Sequence, residues 1–251
     1  MTDPVGRLRA AGCVFAEEEV AILSAQARTP KDLERMLSQR EAGVPLEYVV
    51  GWAQFAGLRI EVGPGVFIPR RRSEFLLRTA LARLPGEATL LDLCCGSGAL
   101  AAAVLARHPA TRVWACDADP VAASWARRNL PESAVVAVGD LFDALSADMR
   151  GGFDVVLANA PYVPSAALAL LPAETRHEPL LGLDGGPDGL LVHRRIAAGA
   201  RTWLRPGGSL LVEVTPAEAP VLADVFQARG LIPAIAVDDR LDVAVVSGEA
   251  H

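Results

Sequence analysis

The sequence predicts an α/β fold: a mostly parallel sheet of seven strands covered by helices, with a small helical region and a β-hairpin ahead of it. Three observations carry that expectation. From residue 89 onward, short apolar runs alternate with stretches of helical period, a pattern that implies strand-helix-strand crossovers. The first of these runs leads into a glycine turn, Asp92-Leu93-Cys94-Cys95-Gly96-Ser97-Gly98, that opens a helix. The last two runs are about four residues apart, too close for a crossover helix, so they should pair as an antiparallel hairpin.

Residues 1–44 read as a short helical N-terminal subdomain. It holds an apolar-periodic segment near 17–27, then Thr29-Pro30-Lys31-Asp32, which places a threonine at the N-cap and a proline at the first helical position. Residues 45–85 read as a β-hairpin and a linker helix. The hairpin strands are expected at Phe55–Val62 and Gly65–Ile68 around Gly63-Pro64, and the helix carries Phe75, Leu76, Ala80 and Leu84 before Pro85-Gly86 stops it. Residues 86–251 read as the catalytic domain. Its strands are expected at Thr89–Cys94, Arg112–Cys116, Ala134–Val138, Phe153–Ala158, Ser209–Val214, Leu231–Val237 and Asp242–Ser247, with helices at 99–107, 119–130, 189–203 and 217–229.

Composition narrows the class. Of 251 residues, 51% are hydrophobic and 22% charged, the balance of a soluble globular enzyme. No run of about 18 apolar residues suggests a membrane span. The start, Met1-Thr2-Asp3-Pro4-Val5-Gly6-Arg7, lacks the basic-then-apolar order of a secretory signal, so a cytoplasmic location is expected. Cys13, Cys94, Cys95 and Cys116 form neither a disulfide framework nor paired Cys-x-x-Cys motifs, and the histidines are scattered, so no metal is expected. Residues 1–84 carry 12 basic and 10 acidic groups, while 85–251 carry 12 basic and 20 acidic. An acidic catalytic half lacks the clustered cations that grip phosphates, and no stable nucleic-acid binding is expected.

The glycine turn points to a nucleotide-like ligand. Gly96 and Gly98 let the backbone approach a ligand closely while the helix N-terminus faces it. Ala101 stands where a dinucleotide fingerprint has its third glycine, so the turn alone does not choose the ligand. Asp92 and Asp117 sharpen the reading: Asp117 ends the second strand, 21 residues after Gly96, where a carboxylate can accept both ribose hydroxyls. Asp140, in Gly139-Asp140-Leu141-Phe142, is placed to accept from an adenine amino group with Leu141 or Phe142 against the ring. Cys94 and Ala118 belong to the same expected contact set. S-adenosylmethionine has no pyrophosphate but carries a sulfonium and an amino acid, and it suits acidic and backbone acceptors better than a nicotinamide dinucleotide does.

The second motif, Asn159-Ala160-Pro161-Tyr162, ends the fourth strand at the ligand-binding edge of such a sheet. An amide nitrogen is a poor nucleophile because its lone pair is delocalised into the carbonyl. Two acceptors can hold its NH2 so that the lone pair points at a sulfonium methyl, a contribution from orientation and electrostatics. The Asn159 side-chain oxygen and the Ala160 carbonyl are the natural pair, and Pro161 biases Ala160 toward extended geometry. Tyr162 can stack on the acceptor plane and face the cationic methyl, worth about 0.5–2 kcal/mol. Both motifs together point to methyl transfer to an amide or amino nitrogen, with Asn159, Ala160, Pro161 and Tyr162 as the catalytic set.

With these motifs, the chain resembles the protein-(glutamine-N5) methyltransferases of the HemK type over most of residues 45–247. Pro45-Leu46-Glu47-Tyr48, Phe67-Ile68-Pro69-Arg70 with Ser73-Glu74, His177-Glu178-Pro179 and Leu183-Asp184-Gly185-Gly186-Pro187-Asp188-Gly189-Leu190 add to the likeness. The resemblance implies a Class I S-adenosylmethionine-dependent methyltransferase, Rossmann-like with an antiparallel terminal hairpin. It implies that Asp92, Cys94, Gly96, Gly98, Asp117, Ala118, Asp140, Leu141 and Asn159 contact S-adenosyl-L-methionine. It also implies that Asn159 to Tyr162 bind the glutamine of a protein partner, a peptide-chain release factor with its Gly-Gly-Gln loop.

The chain departs from the family in three places. Ala160 stands where a proline is usual, Arg71-Arg72-Ser73 replaces Pro-Glu-Thr, and about 44 residues precede Pro45 where a longer helical domain is usual. His177 and Glu178 are read as closing a loop, Asp184 to Gly189 as a loop leading into a helix, and Glu213 as packing support. The rival readings are an N-methyltransferase for a nucleic-acid base or a small-molecule amide or amine, and a cofactor-binding scaffold without turnover.

Overall fold

The computed structural model describes residues 3–251. Helix α1 (Pro4–Ala10) is capped by Asp3, whose carboxylate accepts the Val5 and Gly6 N–H groups. Helices α2 (Ala16–Gln26) and α3 (Pro30–Glu41) follow, and the Thr29 hydroxyl caps α3 by accepting from the Asp32 N–H, as its sequence position requires. A short helix, α4 (Leu46–Val50), adds Val49 and Val50 to the core made by Leu8, Leu23, Met36 and Leu37. The helical core therefore runs past the expected boundary at residue 44. Arg40, 3% exposed, ties this layer to the rest of the molecule. Its guanidinium donates to Glu19, to the Val44 carbonyl and to Glu174, which lies in a long loop beside the site described below.

The hairpin is not where the sequence placed it. Strands β1 (Trp52–Phe55) and β2 (Leu58–Glu61) pair antiparallel about Ala56-Gly57, and Gly63-Pro64 lies beyond them. A two-residue hairpin turn needs positive φ at both central residues to match the strand twist. Gly57 (φ 84°) adopts it freely, whereas Ala56 (φ 50°) is held there from both sides. Glu74 accepts the Ala56 N–H at 3.1 Å and Arg107 donates to its carbonyl. Those tertiary contacts have no local sequence signature, so the Gly-Pro pair outranked Ala-Gly. Gly63 serves packing instead: a Cβ there would sit 2.6 Å from the Trp125 ring. Helix α5 (Glu74–Leu81) then leads to the main sheet.

That sheet is built from β3 (Thr89–Leu93), β4 (Arg112–Asp117), β5 (Val135–Val138), β6 (Phe153–Ala158), β7 (Leu204–Val214), β8 (Leu231–Asp238) and β9 (Val243–Ala250), in the order β5-β4-β3-β6-β7-β9-β8. Helices α6 (Ala99–Arg107), α7 (Pro120–Asn129), α8 (Leu191–Trp203) and α9 (Ala219–Ala228) cover it. β9 runs antiparallel to both its neighbours, β7 and β8, and the other pairs are parallel, as expected. β7 starts five residues earlier than expected because Leu204 pairs with Phe153 across an irregularity where Gly208 passes the Phe153 carbonyl too closely for a side chain.

β3 and β6 are buried at every residue, which explains their unbroken apolar character. Successive residues still serve opposite faces. Leu90, Val155 and Leu157 join the hairpin, α5 and α6, while Leu91, Phe153 and Val156 join α8 and α9. The chain winds outward from β3 toward β5 and from β6 toward β7, so the strand order reverses between β3 and β6. A crevice opens at such a switch point, beyond the carboxyl ends of the strands. The pairing of Leu93 with Ala158 brings the glycine turn and the Asn159 turn to the same rim. Among the described residues, no helix is long and apolar enough to cross a membrane.

Replacing Arg40 with alanine strands Glu19 beside a vacated cavity and should lower the free energy of unfolding by about 2–4 kcal/mol. Urea denaturation measures this. A loss under about 0.5 kcal/mol would show that the pairing carries no weight.

Candidate active site

After β3 the backbone turns through Cys94 (φ 55°), Gly96 (φ 54°) and Gly98 (φ 74°) into α6. Left-handed backbone is free for glycine but costs a side-chain-bearing residue such as Cys94 about 1–2 kcal/mol. Gly98 is needed for a second reason, since a Cβ there would press on Ala126 of α7 and on Leu130 just after it. Asp117, at the end of β4, ties the turn down. Its Oδ2 accepts the Gly96 N–H and its Oδ1 the Asp119 N–H, each at 2.9 Å. Burial raises the Asp117 pKa, against the pull of those donors. Asp92 lies beneath the turn, 1% exposed, with Oδ2 accepting the Ala101 N–H at 3.2 Å and Oδ1 without a partner. Burial, reinforced by Asp117, pushes its pKa up to about 7.

The third wall follows β5. Leu141 (φ 51°) is a second residue in left-handed geometry, and Cys116 donates its thiol to the Leu141 carbonyl at 3.4 Å. Asp140 pairs with Arg195 of α8 at 2.6 Å.

At the end of β6, Asn159 donates from Nδ2 to the Ser73 hydroxyl at 3.0 Å. Among the described residues its Oδ1 has no hydrogen-bond partner within the chain, and neither has the Ala160 carbonyl. Tyr162 sits behind the turn with the Arg72 guanidinium 5.2 Å from its ring centre, and burial pushes its hydroxyl pKa up to about 12. The following loop clamps the turn. The Val163 N–H donates to the Leu183 carbonyl and the Gly185 N–H to the Val163 carbonyl, and a Cβ on Gly185 or Gly189 would strike the Tyr162 backbone at 2.7 or 2.4 Å. Glu178, buried, accepts from the Ile68 N–H at 3.0 Å and from Arg70, the loop-closing role read from sequence, whereas His177 is exposed.

These elements enclose a cleft of about 1050 Å³, its open mouth included. Of the residues singled out from sequence, Cys94, Gly96, Asp117, Ala118, Asp140, Leu141, Asn159 and Pro161 line it. Asp92 and Gly98 brace the turn from behind, and Ala160 and Tyr162 lie outside the lining. Sequence reading missed Phe55, Phe67, Ser73, Cys95, Leu181 and Arg195, which also line the cleft. Ser73 and Phe67 sat within a motif already noted, but Arg195 carries no signal beyond its place in a helix. Asp117, Asp119 and Asp140 face the cleft against one guanidinium, Arg195, so its walls favour a cationic ligand. S-adenosylmethionine fits that polarity, and the left-handed turn lets a ligand approach bare backbone. Among the described residues, no three His, Cys, Asp or Glu side chains converge as metal ligands.

Residues 58–171 match the family described as the methyltransferase small domain. The chain is 43% identical over 183 residues to a release factor glutamine methyltransferase of Mycolicibacterium smegmatis, covering 72% of this chain and 65% of that protein. It is 40% identical over 198 residues to one of Moorella thermoacetica, covering 77% and 70%. The chain thus spans about two thirds of the length of these relatives. A methyltransferase from Pyrococcus furiosus superposes with a TM-score of 0.58 at 16% identity, over 77% of this chain and 89% of that one, and shares its fold. A seven-stranded Class I methyltransferase sheet with this degree of identity leaves one assignment: the chain belongs to the release factor glutamine methyltransferase family.

Proposed function

We propose that this chain transfers a methyl group from S-adenosylmethionine to the side-chain nitrogen of a protein glutamine, in the Gly-Gly-Gln loop of a peptide-chain release factor. The names of its relatives supply the substrate. One observation of this chain carries the chemistry: Asn159 commits its NH2 to Ser73, which leaves its oxygen as a free acceptor at the cleft wall. A protein partner met in the cytoplasm is part of the same reading.

When bound, the cofactor supplies an electrophilic methyl carbon on a sulfonium. Asp117 would accept from the ribose hydroxyls, Asp140 would serve the adenine amino group, and Leu141 would pack on the ring. Cys94, Gly96 and Ala118 form the close backbone wall, while Asp92 and Gly98 keep the turn in shape. Asn159 Oδ1 and the Ala160 carbonyl accept the two hydrogens of the glutamine NH2, which turns its lone pair toward the methyl. As the nitrogen gains positive charge in the transition state, both hydrogen bonds strengthen. The proton leaves to water after transfer, so no side chain need act as a strong base. Pro161 holds Ala160 extended, and Tyr162 with Arg72 over its ring backs the turn.

Replacing Asn159 with alanine should slow transfer by about 10²–10³-fold or more while cofactor affinity stays within about twofold. Single-turnover rates and calorimetry check both halves, and an equal fall in affinity and rate would contradict the division of the site. Replacing Asp117 with alanine should weaken cofactor binding by about 10–100-fold, because two charge-assisted hydrogen bonds are lost. Unchanged affinity would remove Asp117 from the cofactor site. Labelled cofactor and a release factor should yield one methylated glutamine by mass spectrometry; no label on the Gly-Gly-Gln peptide despite cofactor binding would overturn the substrate.

A further inference from the structure

Behind the acceptor turn lies a buried carboxylate that the chemistry above does not use. Glu213, on β7, is fully buried, and neither of its oxygens makes a well-formed hydrogen bond. Arg72 Nε stands 3.6 Å away, in ion-pair range but too far to bond, and is itself without a partner. The Ser73 hydroxyl is the other neighbour that favours the charged form. A buried, under-bonded carboxylate costs free energy that an aliphatic side chain of similar size would not. Such a group in a strand that ends beside a reaction site calls for a function.

Resting on the proposed glutamine methylation, we propose that Glu213, with Arg72 as counter-ion, is a positioning residue that acts through Ser73 to fix which end of the Asn159 amide faces the acceptor nitrogen. Hydrogen-bond polarity supplies the reasoning. A carboxylate only accepts, so a Ser73 O–H that engages Glu213 must point toward it. The Ser73 oxygen then accepts, and it receives the Asn159 NH2 at 3.0 Å. Asn159 Oδ1 is left to meet the substrate NH2. If position 213 carries a donor, the order can reverse: Ser73 donates to Asn159 Oδ1, and the flipped amide sets NH2 against NH2.

Protonation of Glu213 supplies such a donor, and burial pushes its pKa up to about 6. The charged and titratable groups around it are Arg72 ahead of α5, Tyr162 on the acceptor turn and His193 of α8, with Glu218 ahead of α9 facing Tyr162. His193, whose Nε2 is 3.3 Å from the Glu213 carbonyl, is pushed down to about 4 by burial and stays neutral where Glu213 titrates. Activity should therefore rise with pH through about 6 as Glu213 loses its proton.

The test measures kcat, KM and their pH profiles on a Gly-Gly-Gln peptide for the unaltered protein, Glu213→Gln, Ser73→Ala and the double variant, with S-adenosylhomocysteine affinity by calorimetry. Each single variant should lose about tenfold or more in kcat with cofactor affinity within about twofold, and the double variant should be no slower than the slower single. Glu213→Gln should also lose the acid limb near pH 6. An unmoved acid limb in Glu213→Gln, multiplicative losses, or wild-type kcat in Ser73→Ala would each overturn the inference. Ser73→Ala removes a single oxygen and decides the matter even if Glu213→Gln does not fold. An unaltered protein that methylates nothing defeats the functional reading and this inference with it. Active variants indistinguishable from the unaltered protein defeat this inference alone.

Discussion

The pairing of β3 with β6 is the constraint on which the rest of the molecule depends. Two chain segments about sixty residues apart meet in parallel, and the match of Leu93 with Ala158 sets the glycine turn and the Asn159 turn at one height. Each strand is buried on both faces, so a one-residue slip would exchange the two sets of side chains that fill the two cores. Register is thus enforced by packing on both sides of the sheet, and the site inherits its precision from the core. What the loops add is local: Asp117 reaches across from β4 to hold the Gly96 N–H, and Ser73 reaches from the turn before α5 to hold Asn159.

The site concentrates features that a stable fold otherwise avoids. Cys94 and Leu141, both lining the cleft, take left-handed backbone. Asp92, Arg72 and Glu213 each bury a polar atom without a partner. Strain and unpaired polar groups persist only where surrounding structure over-determines them, and here strands buried throughout supply that support. The long loop after the acceptor turn shares in it. Glu178 anchors that loop to Ile68 and Arg70, and Glu174 links it to Arg40 in the helical layer, so the elements around the acceptor turn are held together across more than a hundred residues of sequence.

Much of this was legible from sequence because it is written locally. The strands of the sheet, the antiparallel terminal hairpin and both motif turns announce themselves by periodicity, glycine and spacing. The place of Asp117 at the end of the second strand follows from the length of one strand-helix-strand unit, though its bond to the Gly96 N–H does not. The features that escaped are those set by distant contacts. The hairpin turn at Ala56-Gly57 depends on Glu74 and Arg107, the helical core gains α4 only by packing, and β7 starts early because of one close backbone approach. Ser73 was visible as part of a motif, yet its hydrogen bond to Asn159 was not, because nothing in either segment shows that they meet. Glu213 read as packing support for the same reason: its neighbours come from the turn before α5 and from the acceptor turn.

The central claim is that the β3–β6 rim holds an amide nitrogen by the oxygen of Asn159 and faces it with the methyl donor. A crystal structure with S-adenosylhomocysteine and a glutamine-bearing Gly-Gly-Gln peptide tests it most directly. The account expects the peptide's side-chain nitrogen within hydrogen-bond distance of Asn159 Oδ1 and the Ala160 carbonyl, with the cofactor sulfur in line behind it and Asn159 Nδ2 still on Ser73. A glutamine bound elsewhere, or an Asn159 amide turned with its nitrogen toward the substrate, would contradict it.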